Sequence, residues 1–210
     1  MQRADIVHGL QDIWIDAIHF LYQAGAIRLE GELESILAGS LTGGPQKPVY
    51  QQTTLLAPLG EQAAGKGAPD LVWAALRKER GSNGRLQADI LAIIELKYDA
   101  YPKVFADVVK LARMQAVPTE PFACAGWDWN RTYTELFRTP ETVYALGVVG
   151  RADADGCSER FPDHAHETLQ KEGLALAAPI EVLQIVQPNG EGVEASAVST
   201  CRVDPMPVGS

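Results

Sequence analysis

The chain has 210 residues, 46% of them hydrophobic and 21% charged, with a formal net charge of −9. That length supports one well-buried domain with at most a small appendage, and no apolar run approaches the roughly 18 residues that cross a bilayer as a helix; no membrane partner is expected. Three widely spaced cysteines (Cys124, Cys157 and Cys201) argue against a disulfide framework, and no apolar secretory signal opens the chain, so the expected compartment is the cytoplasm.

Taken in chain order, residues 5–23 carry Ile6, Leu10, Ile13, Trp14, Ala17, Ile18 and Leu21 at helical spacing, with Asp5 as a first-turn acid and Gly25 as the stop. A second helix is predicted over 27–41, ended by Gly43, Gly44 and Pro45. Residues 48–57 read as a strand, and a Gly- and Ala-rich loop, 60–68, follows. Residues 70–77 and 87–98 are both strand-like and flank Gly81-Ser82-Asn83-Gly84, a turn sequence that predicts a β-hairpin. A helix over 103–116 comes next. Residues 117–140 read as irregular, with a short helix near 132–137. The remainder is a strand at 143–149, a polar loop at 151–164, a helix at 165–173 and a strand at 180–186. The tail, 188–210, is rich in Gly, Ser and Pro and is expected to be loosely held beyond a single domain of residues 1–187. The hairpin is antiparallel and the helical crossover after it implies a parallel neighbour, so the fold class is α/β with a mixed β-sheet flanked by helices.

Function concentrates in Pro69-Asp70 and Glu95-Leu96-Lys97. By strict strand alternation Asp89, Leu91, Ile93, Glu95, Lys97 and Asp99 share one face of 87–98, and Ala88, Ile90, Ala92, Ile94, Leu96 and Tyr98 the other. An acid and a lysine beside apolar residues are costly to bury without compensation. In a hairpin the start of the first strand lies near the end of its partner, which brings Asp70 towards Glu95 and Lys97. Two carboxylates and the Leu96 carbonyl suit Mg²⁺ or Mn²⁺, which keep several waters. The metal would acidify a bound water, and Lys97 would hold that water or offset charge on a phosphoryl transition state.

This arrangement resembles the PD-(D/E)XK nuclease superfamily, with a restriction-endonuclease-like core over about residues 27–150. The resemblance implies a metal-dependent hydrolase of DNA phosphodiester bonds, with Asp70 and Glu95 as metal ligands and Lys97 as the catalytic lysine. It also implies an acid from the preceding helix. Glu30 falls within the apolar arc of Leu33, Ile36, Leu37 and Leu41, Glu34 lies at its edge, and Glu32 points away, so Glu30 is the first choice and Glu34 the second.

The overall acidity argues against a nucleic-acid partner, but residues 66–113 carry +3 while the remainder carries −12. Arg77, Lys78, Arg80 and Arg85 surround the hairpin turn, and Lys103, Lys110 and Arg113 share one side of the next helix. Both sets could contact phosphates, although each taken alone reads first as an ordinary solvated surface. DNA is the expected partner, with RNA, strand state, endo- or exonucleolytic action and a homodimer or larger complex left open. The alternative is a catalytically silent binding or assembly protein of the same fold.

Other patterns carry less. Gly60–Gly67 nearly forms a phosphate-binding loop, but Gly67 stands where a hydroxyl is needed. His8, Asp12, Asp16 and His19 form a stripe opposite the apolar face of the first helix. Asp153 and Asp155 hint at a Ca²⁺ loop without its bidentate acid, since His164 stands there. His164 and His166 have no further ligand beside them, and Trp127 and Trp129 read as core-capping aromatics.

Overall fold

In the computed structural model, residues 1–44, 46–51, 55–56, 68–82, 84–99, 103–118, 121–127, 132–151, 160–188 and 191–206 are described. Nine strands form one mixed sheet. They are β1 (Val49–Gln51), β2 (Leu55–Leu56), β3 (Leu71–Leu76), β4 (Leu86–Tyr98), β5 (Ala123–Trp127), β6 (Thr132–Phe137), β7 (Val143–Arg151), β8 (Ile180–Gln187) and β9 (Ala197–Val203). The order runs β2-β5-β6-β4-β7-β8-β9, and β3 joins the other side of β4 and carries β1.

Helices cover both faces. On one side lie α1 (Arg3–Ile13), continued by a π-helical segment (Trp14–His19) and α2 (Phe20–Gln23), and α3 (Glu30–Leu41). Their buried stripes (Ile6, Leu10, Trp14 and Ile18; Leu33, Leu37 and Leu41) pack on Ala92, Ile94, Leu96 and Ala145. On the other side are α4 (Val104–Ala116) and α5 (Phe161–Lys171). Val104, Val108, Leu111, Phe161 and Leu169 pack there on Ile90, Ile93, Leu146 and Val182. The C-terminal carbonyls of α4 accept from Arg138, whose guanidinium reaches Met114 at 2.9 Å and also Val117. Among the described residues no helix is long and apolar enough to cross a membrane.

The central strand β4 is antiparallel to β3 and parallel to both β6, over 86–89, and β7, over 92–98. Where its parallel partner changes, the register against β3 also shifts: Trp73 pairs with Ala92 but Ala74 with Ile90. Leu91 is the extra residue of this β-bulge. The carbonyl of Ile90, left between the two partners, accepts from the Thr142 hydroxyl at 2.8 Å. The bulge reverses the side-chain alternation. Ala88 and Ile90 share their face with Ile93, not with Ala92, Ile94 and Leu96. Strict alternation over 87–98 therefore fails, and Asp89 and Leu91 do not lie on the Glu95 side.

Other expectations also change. The predicted 48–57 strand is two strands in separate places, β1 on β3 and β2 on β5. Thr132–Phe137 is a strand, not a short helix, and it pairs with both β4 and β5. Its Thr, Tyr and Phe residues suit a pleated surface, so pairing prevails over local helical tendency. Helix α5 begins at Phe161, with Pro162 in its first turn, within the predicted polar loop. The sequence predicts a loosely held tail from 188, yet β9 there pairs with β8 from Ile180↔Val203 to Val186↔Ala197.

Leu96 lies opposite Gly147 on β7. A Cβ at Gly147 would sit 2.5 Å from Trp14 Cη2 and 2.8 Å from Leu96 Cδ2. The absence of a side chain is what lets the buried indole of Trp14 pack against the sheet here. Gly147→Ala should therefore destabilise the protein by about 1–3 kcal/mol, seen as a Tm lowered by roughly 2–10 °C in thermal melts; an unchanged Tm would contradict this packing.

Candidate functional site

A cluster of acids and lysines meets at the carboxyl end of β4. Leu71 pairs with Ile94, so the next step along the hairpin sets Asp70 beside Glu95. Both carboxylates are buried, Asp70 at 7% exposed and Glu95 at 1%. Asp70 Oδ2 accepts the Leu96 N–H at 2.7 Å, extending the ladder by one side-chain bond. The Leu96 carbonyl accepts from Lys97 Nζ at 2.9 Å.

Helix α4 returns antiparallel to β4 and presents Asp107 and Lys110 to it, three residues apart and so on one face. The charges match in reversed order. Lys97 Nζ lies 3.3 Å from Asp107 Oδ2, and Lys110 Nζ lies 2.8 Å from Glu95 Oε1. Lys110 hydrogen-bonds Glu95 through Oε2 at 2.9 Å, so the ammonium sits against both carboxylate oxygens. From the opposite layer, Glu30 at the start of α3 reaches Lys97 Nζ at 3.4 Å.

The acids in this cluster outnumber the lysines, and their proton affinities respond. Burial, then the neighbouring Asp70, push Glu95 from its ordinary 4.5 up to about 8 despite Lys110. Burial also raises Asp107, against the pull of Lys97. Glu34 is raised by burial and by the charges of Asp70 and Glu30, which places it at the rim of the same cluster. Burial works against the charge on Lys97, but Asp107, Glu30 and Asp70 outweigh it and hold Lys97 above its ordinary value.

Asp70, Glu95, Leu96, Lys97, Glu30 and Glu34 are thus brought together. Glu32 points elsewhere and accepts the Arg28 N–H at 2.7 Å. Lys110, read from the sequence as a phosphate contact on an outer face, is instead directed inward onto Glu95, while Lys103 is exposed and Arg113 pairs with Glu172 at 2.8 Å. At the hairpin Arg77 pairs with Asp89 at 2.6 Å and lies over the Phe137 ring, and Arg85 pairs with Glu135 at 3.4 Å. Arg80 bonds the Gly84 carbonyl, and Lys78 is exposed. Asp107 was not singled out in the sequence. Its signal is there, since it sits between Val104, Val108 and Leu111 on the apolar arc of its helix.

The weaker patterns do not converge. His8 pairs only loosely with Asp12, at 3.6 Å on an exposed surface, and His19 bonds Ser196. His166 bonds the Asp204 carbonyl, and His164 meets the Phe105 ring edge-on. Gly60–Gly67, the Asp153–Gly156 segment and Trp129 lie outside the described residues. Compared with known proteins, the chain matches no family model, no curated protein and no solved structure.

A carboxyl group whose proton affinity is higher folded than unfolded favours folding below its ordinary value and loses that contribution as pH rises through the folded value. For Glu95 that window runs from 4.5 to about 8. The metal-free protein should lose thermal stability across it, and Glu95→Gln should flatten the loss, raising Tm at the alkaline end by about 2 °C or more. Parallel Tm–pH curves for the two proteins would refute the assignment.

Proposed function

We propose that this protein is a metal-dependent phosphodiesterase acting on DNA, built on a restriction-endonuclease-like core. The observation that carries the reading is the meeting of Asp70, Glu95 and Lys97 at the carboxyl end of the central strand. The order α3, β3–β4 hairpin, α4 and parallel β7 supports the core, because it brings these residues to the carboxyl end of the central strand, the end at which ligands usually bind in an α/β sheet.

The donors fit a hard divalent cation. Asp70, Glu95 and the Leu96 carbonyl are all oxygen donors, and a positive charge already lies 2.8 Å from Glu95 Oε1. Among the described residues no three acidic, His or Cys side chains are grouped to hold a metal. Mg²⁺, with Mn²⁺ as its substitute, needs only one or two carboxylates and keeps its waters. When bound, such an ion supplies an acidified water and charge neutralisation at the phosphate. Asp70 and Glu95 would hold it. Lys97, kept cationic by Asp107 and Glu30, orients the attacking water or balances charge at the phosphorus. Glu30 steadies Lys97 from the α3 side.

A second reading has its own support. The Lys110 ammonium already sits on Glu95, and a permanent counter-ion there would suit a catalytically silent binding or assembly protein. Incubation with supercoiled, linear and single-stranded DNA in Mg²⁺ or Mn²⁺ separates the two. The nuclease reading expects cleavage that EDTA abolishes and that Asp70→Ala, Glu95→Ala and Lys97→Ala each reduce by about a hundredfold or more, with unchanged circular dichroism. Activity retained in all three variants would sink it.

A further inference from the structure

We infer that Lys110 is a displaceable counter-ion that competes with the divalent cation for Glu95, and so sets the metal affinity of the site. The inference rests on the metal-dependent reading above. Among the described residues, Lys97 and Lys110 are the cations paired with the acids of the cluster Glu30, Glu34, Asp70, Glu95 and Asp107. Each lysine has a distinct station. Lys97 is held by three groups, Glu30, Asp107 and the Leu96 carbonyl. Lys110 has Glu95 as its ion-pair partner and arrives from a helix, not from the sheet that carries the other donors. An ammonium group 2.8 Å from Glu95 Oε1 occupies space that a cation bound to that oxygen needs.

The same contact explains how the acids stay together without a metal. Glu95 is 1% exposed beside Asp70, and an uncompensated buried charge is far costlier than a paired one. Once Glu95 is ionised, Lys110 supplies the pairing. Its side chain is 18% exposed against 1% for Glu95, so the lysine reaches the surface where Glu95 does not. On arrival of a cation, the flexible lysine is therefore the partner that leaves.

The test is calorimetric titration of Mn²⁺ into the full chain at one fixed pH above 8, where the Glu95 carboxyl is ionised, with Mn²⁺-dependent thermal melts as a second readout. Lys110→Met should bind Mn²⁺ about tenfold or more tightly than the wild type, since it removes a competing charge next to the ligand. Lys110→Arg, which keeps the charge, should not. Adding Glu95→Gln to Lys110→Met should cancel the gain, and Lys103→Met, which removes a charge from the start of the same helix, should show none. Lys110→Gln serves where the Met variant is not folded by circular dichroism. Equal or weaker Mn²⁺ binding by Lys110→Met, or an equal gain in Lys103→Met, overturns the inference. If the wild type binds Mn²⁺ and cleaves DNA while Lys110→Met gains nothing, this inference alone falls. If neither protein binds Mn²⁺, the metal-dependent reading falls with it. Binding by Lys110→Met alone supports the competition and counts against catalysis by the wild type.

Discussion

Two carboxylates on neighbouring antiparallel strands cannot both be buried and ionised without counter-charge, and this constraint shapes the whole carboxyl end of the sheet. Asp70 and Glu95 are set side by side by the β3–β4 register. Asp70 is relieved through the Leu96 N–H, a bond made by extending the strand ladder. Glu95 has no such bond from the sheet and depends on α4 for Lys110. Helix α4 must therefore lie at a fixed height along β4. Its apolar face (Val104, Val108 and Leu111) and the clasp of Arg138 on its last carbonyls hold it there. Packing and electrostatics here cannot be separated: the helix that covers the core is also the source of the counter-ions.

That coupling gives the reversed order of charges its logic. Along the strand the acid precedes the lysine, and along the helix the acid again precedes the lysine. Because the helix runs back against the strand, like faces unlike at both levels. Two strand residues span about 6.6 Å and three helical residues about 4.5 Å, close enough for flexible lysine stems to close both pairs. Asp107 gains further from its place in the first turn of α4, where the helix dipole favours an anion.

Much of this was legible in the sequence. The helical spacing of Ile6, Leu10, Trp14 and Ile18, the hairpin turn ending at Gly84 and the meeting of Asp70 with Glu95 all follow from local periodicity and turn chemistry, and Gly84 takes the positive φ (76°) that its turn needs. The bulge at Leu91 was not legible, because it arises where β4 changes partners from β6 to β7, a fact of tertiary pairing. It flips Asp89 away while leaving Glu95 and Lys97 together, since those two lie on the same side of it. The inward turn of Lys110 was hidden for a related reason. A helix wheel gives only relative angles, and the buried sector is fixed by which arc meets the sheet. Asp107, lodged among valines and a leucine, was the residue that marked that arc.

The local excess of positive charge along the chain is smaller in space. Counted along the chain, residues 66–113 carry +3; in space, much of that charge is already matched. Arg85 and Arg113 take carboxylates from outside the window, Glu135 and Glu172, and Lys97 takes Glu30. These pairs are not equivalent towards a polyanion. Arg77 and Asp89 are 36% and 40% exposed, and pairs of that kind contribute about 0–1 kcal/mol, so a phosphate can replace the carboxylate at little cost. Lys97 and Lys110, at 17% and 18% exposed and facing buried acids, are held far more firmly. A nucleic-acid backbone would therefore be met first by exchangeable arginines at the hairpin and by the exposed Lys78 and Lys103. The two inner lysines are committed to the carboxylates, and only a change in the charge of that cluster would release them.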